Sequence, residues 1–229
     1  MMLAKLFGKD YLRKRLLKKT KSSVMREYLS TPFPDNNDSL MNVEIVSLDF
    51  ETTGLDIERD NVISIGFVDV INLGINLGTS THHLIATNAK LPENSVVIHQ
   101  ITDNALVNGE SIATVLPDLL KHLTGKVLLA HNAKVEVGFL NKMCQQFYGS
   151  DFLIPVIDTQ YLAKRSFDRK NISYKSAELR MFNLRASLNM PAYKAHNALM
   201  DAIATAELFL ALVSKISPKN NARLKDVLC

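Results

Sequence analysis

The apolar run Ile45-Val46-Ser47-Leu48 has the composition of a buried strand, yet it leads directly into Asp49-Phe50-Glu51-Thr52-Thr53-Gly54. Residues two apart on a strand share a face, so Asp49 and Glu51 point the same way. Two carboxylates so placed repel each other unless something positive lies between them. A hard divalent ion such as Mg²⁺, typically held by one or two carboxylates with water and phosphate oxygens, satisfies that demand. A strand that frays into an acidic, solvated turn satisfies it equally well, because Asp and Glu are depleted within strands.

Two later segments decide between these readings. Val127-Leu128-Leu129-Ala130 reads as a short buried strand that runs into His131-Asn132-Ala133-Lys134-Val135-Glu136-Val137-Gly138-Phe139-Leu140, where the period becomes helical. Glu136 therefore falls in the first turn of a helix launched from a strand end. Near the C-terminus, Ala195-His196-Asn197-Ala198-Leu199-Met200-Asp201-Ala202 opens another helix, with His196 at or just before its start and Asp201 one turn in. A single His at such a place is more often a cap or a surface residue than a catalyst. The three elements together, in this order, are far more restrictive than any one of them.

With these motifs the chain resembles the DEDDh exonuclease superfamily, which contains the epsilon proofreading subunit of bacterial DNA polymerase III. The resemblance runs over about residues 43–215 and includes Leu48 to Leu55, Ile98-His99-Gln100-Ile101-Thr102, the Glu136 segment, Val156-Ile157-Asp158-Thr159, and His196 through Asp201-Ala202. It implies an α/β, ribonuclease H-like fold with a mixed five-stranded sheet flanked by helices. It also implies a 3′–5′ exonuclease that releases nucleoside monophosphates from single-stranded DNA or RNA ends with two divalent cations, Mg²⁺ or Mn²⁺. Asp49, Glu51, Glu136 and Asp201 would be the metal ligands and His196 the general base, an imidazole being suited to proton exchange near neutral pH. Thr53, Gly54 and Leu55 would meet the terminal nucleotide, and His99 would line the same pocket unless it is simply a loop histidine bonded to backbone. One departure stands out: Glu136 occupies a position where the family ordinarily has Asp, and Val135 one where it has Phe. The family's carboxylate there acts largely through water, so an extra methylene is compatible with activity. Loss of chemistry, leaving a module that binds nucleic-acid ends or scaffolds another protein, is the alternative.

At 229 residues with 47% hydrophobic content, the chain is long enough for one full core. Cys144 and Cys229 make neither a disulfide framework nor a zinc site, which suits a reducing cytoplasm. No apolar stretch approaches the roughly 18–20 residues of a membrane span. Periodicity predicts strands over 44–50, 62–70, 80–86, 126–130 and 155–158. It predicts helices over 111–123, 134–148, 159–167, 176–188 and 197–215, with residues 71–80 read as a turn region. Ser111 is an expected helix N-cap, and Asp158 is expected to cap the helix that follows it rather than bind metal.

Charge is distributed unevenly. Residues 1–26 carry nine bases against Asp10 alone, while the remainder carries four more acids than bases. Leu3, Leu6, Phe7, Tyr11, Leu12 and Leu16 recur at helical spacing, so the start of the chain reads as a basic amphipathic helix, and Ser30 to Asp38 reads as a linker. The expected division is therefore an arm and linker over 1–40, an exonuclease domain over 41–217 and a short tail over 218–229. The arm could stay solvated, dock on the exonuclease domain, touch an anionic membrane surface, or contact a phosphate backbone or a protein partner. Lys219 to Arg223 offers no apolar docking motif, which favours a free-standing nuclease over a replicative proofreader.

Overall fold

The computed structural model describes residues 2–87, 106–194, 196–217, 219 and 221–229, with side chains from Lys9 onward. Its centre is β1 (Ile45–Thr52), which pairs antiparallel with β2 (Val62–Ile71) and parallel with β4 (Val127–Ala130). β3 (Gly74–Leu84) extends the β2 edge and β5 (Val156–Asp158) the β4 edge, in the order β3-β2-β1-β4-β5. This is the mixed five-stranded α/β sheet that the sequence implied.

Alternation along β1 assigns its two faces. Val46, Leu48 and Phe50 join one core layer with α2 (Ser23–Ser30), α3 (Ile112–Leu123) and α4 (Lys134–Tyr148). Ile45 joins the other, built from α5 (Thr159–Arg169), α6 (Met181–Ser187) and α7 (Ala198–Ile216). Asp49 and Glu51 share the face of Ile45, so the acidic pair lies under α7. Both expected caps are present: Ser111 Oγ accepts from Ala113 N–H, and Asp158 Oδ1 accepts from Gln160 and Tyr161 N–H.

The structure differs from the predicted elements in three places. The turn after β2 needs only Asn72 and Leu73, both left-handed (φ 53° and 54°), so β3 begins at Gly74 rather than at 80. Its first half, Gly74-Ile75-Asn76-Leu77-Gly78, is mostly exposed, as an edge strand allows, and its two glycines give it the look of a turn. The helix predicted over 176–188 is split into a 3₁₀ turn at Ser176–Leu179 and α6, with Arg180 extended (ψ 143°) between them. Leu179 and Met181 are both buried. Two residues apart on one continuous helix they would face opposite sides.

The third difference concerns the N-terminal arm. α1 (Met2–Lys19) and α2 are helical, and residues 31–38 hold no regular element, as expected. α2, however, is not detached. Met25, Tyr28 and Leu29 are fully buried in the same layer as α3, and Tyr28 stacks on Phe152 at 5.6 Å while its hydroxyl donates to Leu153 O at 2.8 Å. Arg13 of α1 is buried and donates to Leu29 O and Ser30 O, fixing α1 to the end of α2. At the other terminus Ala222, Leu224 and Val227 are buried, and Leu228 bridges to Ile157 of β5. The boundary expected at residue 40 thus cuts through a packed layer.

If α2 is part of the core, Tyr28→Ala should destabilise the protein by about 3–5 kcal/mol, the usual cost of deleting a buried aromatic ring. Urea denaturation measures it; a loss below about 1 kcal/mol would return α2 to the status of a peripheral arm.

Candidate active site

The close approach of α7 to the sheet builds the site. Gly66 of β2 pairs with Asp49, and a Cβ on Gly66 would lie 2.1 Å from Leu199 N and 2.2 Å from Ala198 C. Only glycine leaves room for the first turn of α7 against the strand. Ser47 Oγ, on the same face of β1, donates to Ala202 O at 2.7 Å and pins the next turn. Asn197 caps the helix through Met200 N–H, and Asp201 is buried in its first turn.

Glu51, His196 and Asp201 each present a ligand atom within 4.8 Å of the other two. His196 precedes the helix with a left-handed backbone (φ 67°), and its N–H donates to Asp201 Oδ2 at 2.8 Å. Its side chain is exposed, whereas Glu51 and Asp201 are buried. A register shift between Glu51 and Thr52 ends the regular pairing of β1 beside the acids.

Asp49 and Glu136 complete the cluster electrostatically. Burial, followed by the charges of Glu136, Asp201 and Glu51, raises the Asp49 carboxyl well above its ordinary range. Burial likewise pushes Glu136 up to about 8, with the charge of Asp158 adding to it, and Glu136 Oε2 is a buried oxygen with no hydrogen-bond partner. A buried acceptor left in this state is costly. Four carboxylates from three elements, joined by one imidazole, form an oxygen-rich donor set that suits a hard divalent cation.

Asp158 does more than cap α5. Its carboxylate also accepts from Asn132 and Ala133 N–H at 3.1 Å each, fixing the turn that aims α4, and with it Glu136, at the sheet end. The cap was legible in the sequence, but this cross-strand contact was not. Also unmarked was His82 of β3, whose Nε2 lies 2.8 Å from Ser64 Oγ. Ser64 pairs with Glu51 across the sheet. A His on an edge strand carries no motif, so only the register brings it here.

Thr53, Gly54 and Leu55 follow β1 in a loop closed on itself by Asp60. Thr53 Oγ1 donates to Asp60 Oδ1 at 2.8 Å, and a Cβ on Gly54 would lie 2.5 Å from Asp60 Oδ2. Lys142 of α4 clamps the loop through Asp60 O at 2.7 Å, and Gly138 of α4 leaves space for Ile57. Leu55 is left 79% exposed at the tip. His99 lies outside the described residues.

A strand-end carboxylate pair facing a helix that supplies His and Asp is the constellation of a nuclease, and comparison with known proteins agrees. The chain belongs to the RNase T exonuclease family, whose model matches residues 46–209. It is 31% identical to the DNA polymerase III epsilon subunit of Treponema pallidum over 78% of this chain and 80% of that protein. It is 33% identical to the PolC-type DNA polymerase III of Thermotoga petrophila, of which it spans only 13%. Among solved structures it resembles the nuclease domain of 3′hExo, a DEDDh family member bound to rAMP (TM-score 0.65, 16% identity, 78% of this chain and 95% of that one). It also resembles E. coli exonuclease I in a complex with single-stranded DNA (TM-score 0.65, 16% identity, 78% and 42%). The fold is thus ribonuclease H-like, and the family implies divalent metal ions. No described helix is long and apolar enough to cross a membrane.

The raised carboxyls make a signed prediction. Glu136 keeps its proton in the folded protein up to about pH 8 against 4.5 ordinarily, and Asp49 shifts in the same direction. Between those values the folded state binds more protons than the unfolded, so stability falls as pH rises through the window. With chelator present, Tm should therefore drop from pH 4.5 to about 8. Mg²⁺ or Mn²⁺ should raise Tm most at the upper end, and Glu136→Gln should flatten the slope. A flat chelated profile in the wild type would show that the acids are not strained together.

Proposed function

We propose that the chain is a 3′–5′ exonuclease that removes nucleoside monophosphates from single-stranded nucleic acid, DNA or RNA, with two divalent cations, Mg²⁺ or Mn²⁺. The observation that carries this reading is the convergence of Asp49, Glu51, Glu136 and Asp201 with His196 at the end of β1. Asp49, Glu51, Glu136 and Asp201 hold the ions. When bound, these neutralise phosphodiester charge and lower the pKa of water at the site. His196, the exposed member of the cluster, accepts the proton of the attacking water as its oxygen bonds to phosphorus. The bond from phosphorus to the 3′ oxygen breaks, leaving a 3′-hydroxyl on the shortened strand and a free nucleoside 5′-monophosphate. Exposed Leu55 offers an apolar surface to the terminal base, and Thr53 and Gly54 hold the loop that presents it. His99 is a further candidate for that pocket.

The catalytic unit is residues 41–217, supported by α2 and by residues 221–229. We extend the reading to a free-standing cytoplasmic enzyme. Segments on both sides of the family match, Ser23–Ser30 and Ala222 to Leu228, pack onto the same core. The exposed cations Lys14, Arg15, Lys18, Lys19 and Lys21 of the arm are candidates for contact with the substrate's phosphates or an acidic partner.

A 5′-labelled single-stranded oligomer, made as DNA and as RNA, tests the proposal. It should shorten stepwise in Mg²⁺ or Mn²⁺ and stay intact in chelator; intact product under all conditions would leave an end-binding module instead. Asp49→Ala, Glu51→Ala and Asp201→Ala should each abolish nearly all turnover, because ligands of one cluster act as a unit. His196→Ala should cost about 10²- to 10⁴-fold in kcat. For Glu136, Asp should be worse than the native residue, since a misplacement of about 1 Å can cost about 10²-fold, and Gln worse still. A faster Glu136→Asp variant would mean that α4 has not adjusted to the longer side chain.

A further inference from the structure

His196 lies between α6 and α7, beyond residues 188–194, which hold no regular element, and has a left-handed conformation that residues with a Cβ rarely adopt. Something must hold that backbone. The group best placed to do so is Arg185 of α6, a guanidinium only 1% exposed. Its Nη1 donates to Ala204 O at 2.8 Å, its Nη2 donates to Pro191 O at 3.0 Å, and Nη2 also pairs with Glu207 Oε2 at 2.8 Å. The Tyr193 ring covers the guanidinium at 4.7 Å, and the Tyr193 hydroxyl donates to Glu207 Oε1 at 2.8 Å.

The segment is therefore clipped at two points, the Pro191 carbonyl and the Tyr193 ring. Both clips are referred to Ala204 and Glu207 on α7, the helix that carries Asp201 one turn earlier. Tyr193 is three residues before His196, whose own N–H bonds Asp201. A helix and the loop that leads into it are thus tied at both ends to the same rigid element. Burying a full positive charge needs nearly ideal partners, and Arg supplies the planar fork that can reach two carbonyls and a carboxylate at once.

We infer that Arg185, with Glu207 and Tyr193, is a positioning group for His196, holding the segment so that the imidazole stays beside Glu51 and Asp201. The inference rests on the reading of His196 as the general base.

A double-mutant cycle on the full chain, with the 5′-labelled oligomer in Mg²⁺, separates this role from simple support of the fold. Tyr193→Phe removes one hydrogen bond and keeps the ring; Arg185→Lys keeps the charge and loses the fork. Each should lower kcat by about 10- to 10²-fold with KM and the half-saturating Mg²⁺ concentration within twofold. In a His196→Ala background the same substitutions should cause no further loss, because the group they position is gone. An equal, additive loss in that background would overturn the inference and leave only a structural role. If Arg185→Lys fails to fold, Tyr193→Phe decides alone, and an unchanged kcat there would also overturn it. The parent reading fails by a different result, a His196→Ala enzyme that keeps wild-type turnover.

Discussion

The absence of a side chain at Gly66 is the constraint on which the site depends. It lets the first turn of α7 rest on β2 directly beside Asp49, closer than any Cβ would permit. From that contact the rest follows in order. Ser47 secures the second turn, Asp201 comes within reach of Glu51, and His196 is delivered at the helix start. Moving α7 outward by even the radius of a methyl group would separate carboxylates that must act together. The site is therefore a consequence of helix–sheet packing, and its precision is that of the core beneath it.

That packing also holds together groups that would otherwise push apart. Asp49 and Glu136 are held where burial and nearby acids disfavour ionisation, so repulsion among the carboxylates grows as they lose their protons. Neighbouring structure must resist it. Asp158 does so by taking four backbone N–H groups, two from the turn before α4 and two from α5, so that Glu136 is aimed by a residue on another strand. Asp60 and Lys142 do the same for the loop after β1. Asp158 thus holds the shape of the turn before α4 and at the same time, through its charge, adds to the strain on Glu136.

Much of this was legible in the sequence, for a physical reason. A carboxylate pair on a strand, an acid in a helix's first turn and a His before another helix are local patterns, and local patterns are what periodicity exposes. These patterns singled out the five candidate site residues, and the resemblance they carry implied the mixed five-stranded sheet that is present. What stayed hidden depends on contacts between distant segments. The first half of β3 alternates only Ile75 and Leu77 between two glycines, and pairing with β2 alone shows that it is strand. The break at Arg180 is set by the core's demand for both Leu179 and Met181. Met25, Tyr28 and Leu29 sit in a short helix beside a strongly basic stretch, so charge obscured their burial. Arg185 and Tyr193 carry no motif, and only the packing of α7 brings Glu207 to them.

The same architecture separates charge along the molecule. α4 carries Glu136 in its first turn at the acidic cluster and ends at Tyr148, 148 − 136 = 12 residues further on and so about 18 Å away at about 1.5 Å per residue. There Lys19 and Lys21, following from α1, line a cleft with Gln145 and Gly149. The packed arm thus places Lys19 and Lys21 at the end remote from the site, in a cleft they share with Asp151. That separation exceeds the Debye length of about 8–10 Å at moderate ionic strength, so the field of these lysines is largely screened at the carboxylates. The raised carboxyls of Asp49 and Glu136 therefore answer to burial and to their own acidic neighbours, not to the basic arm.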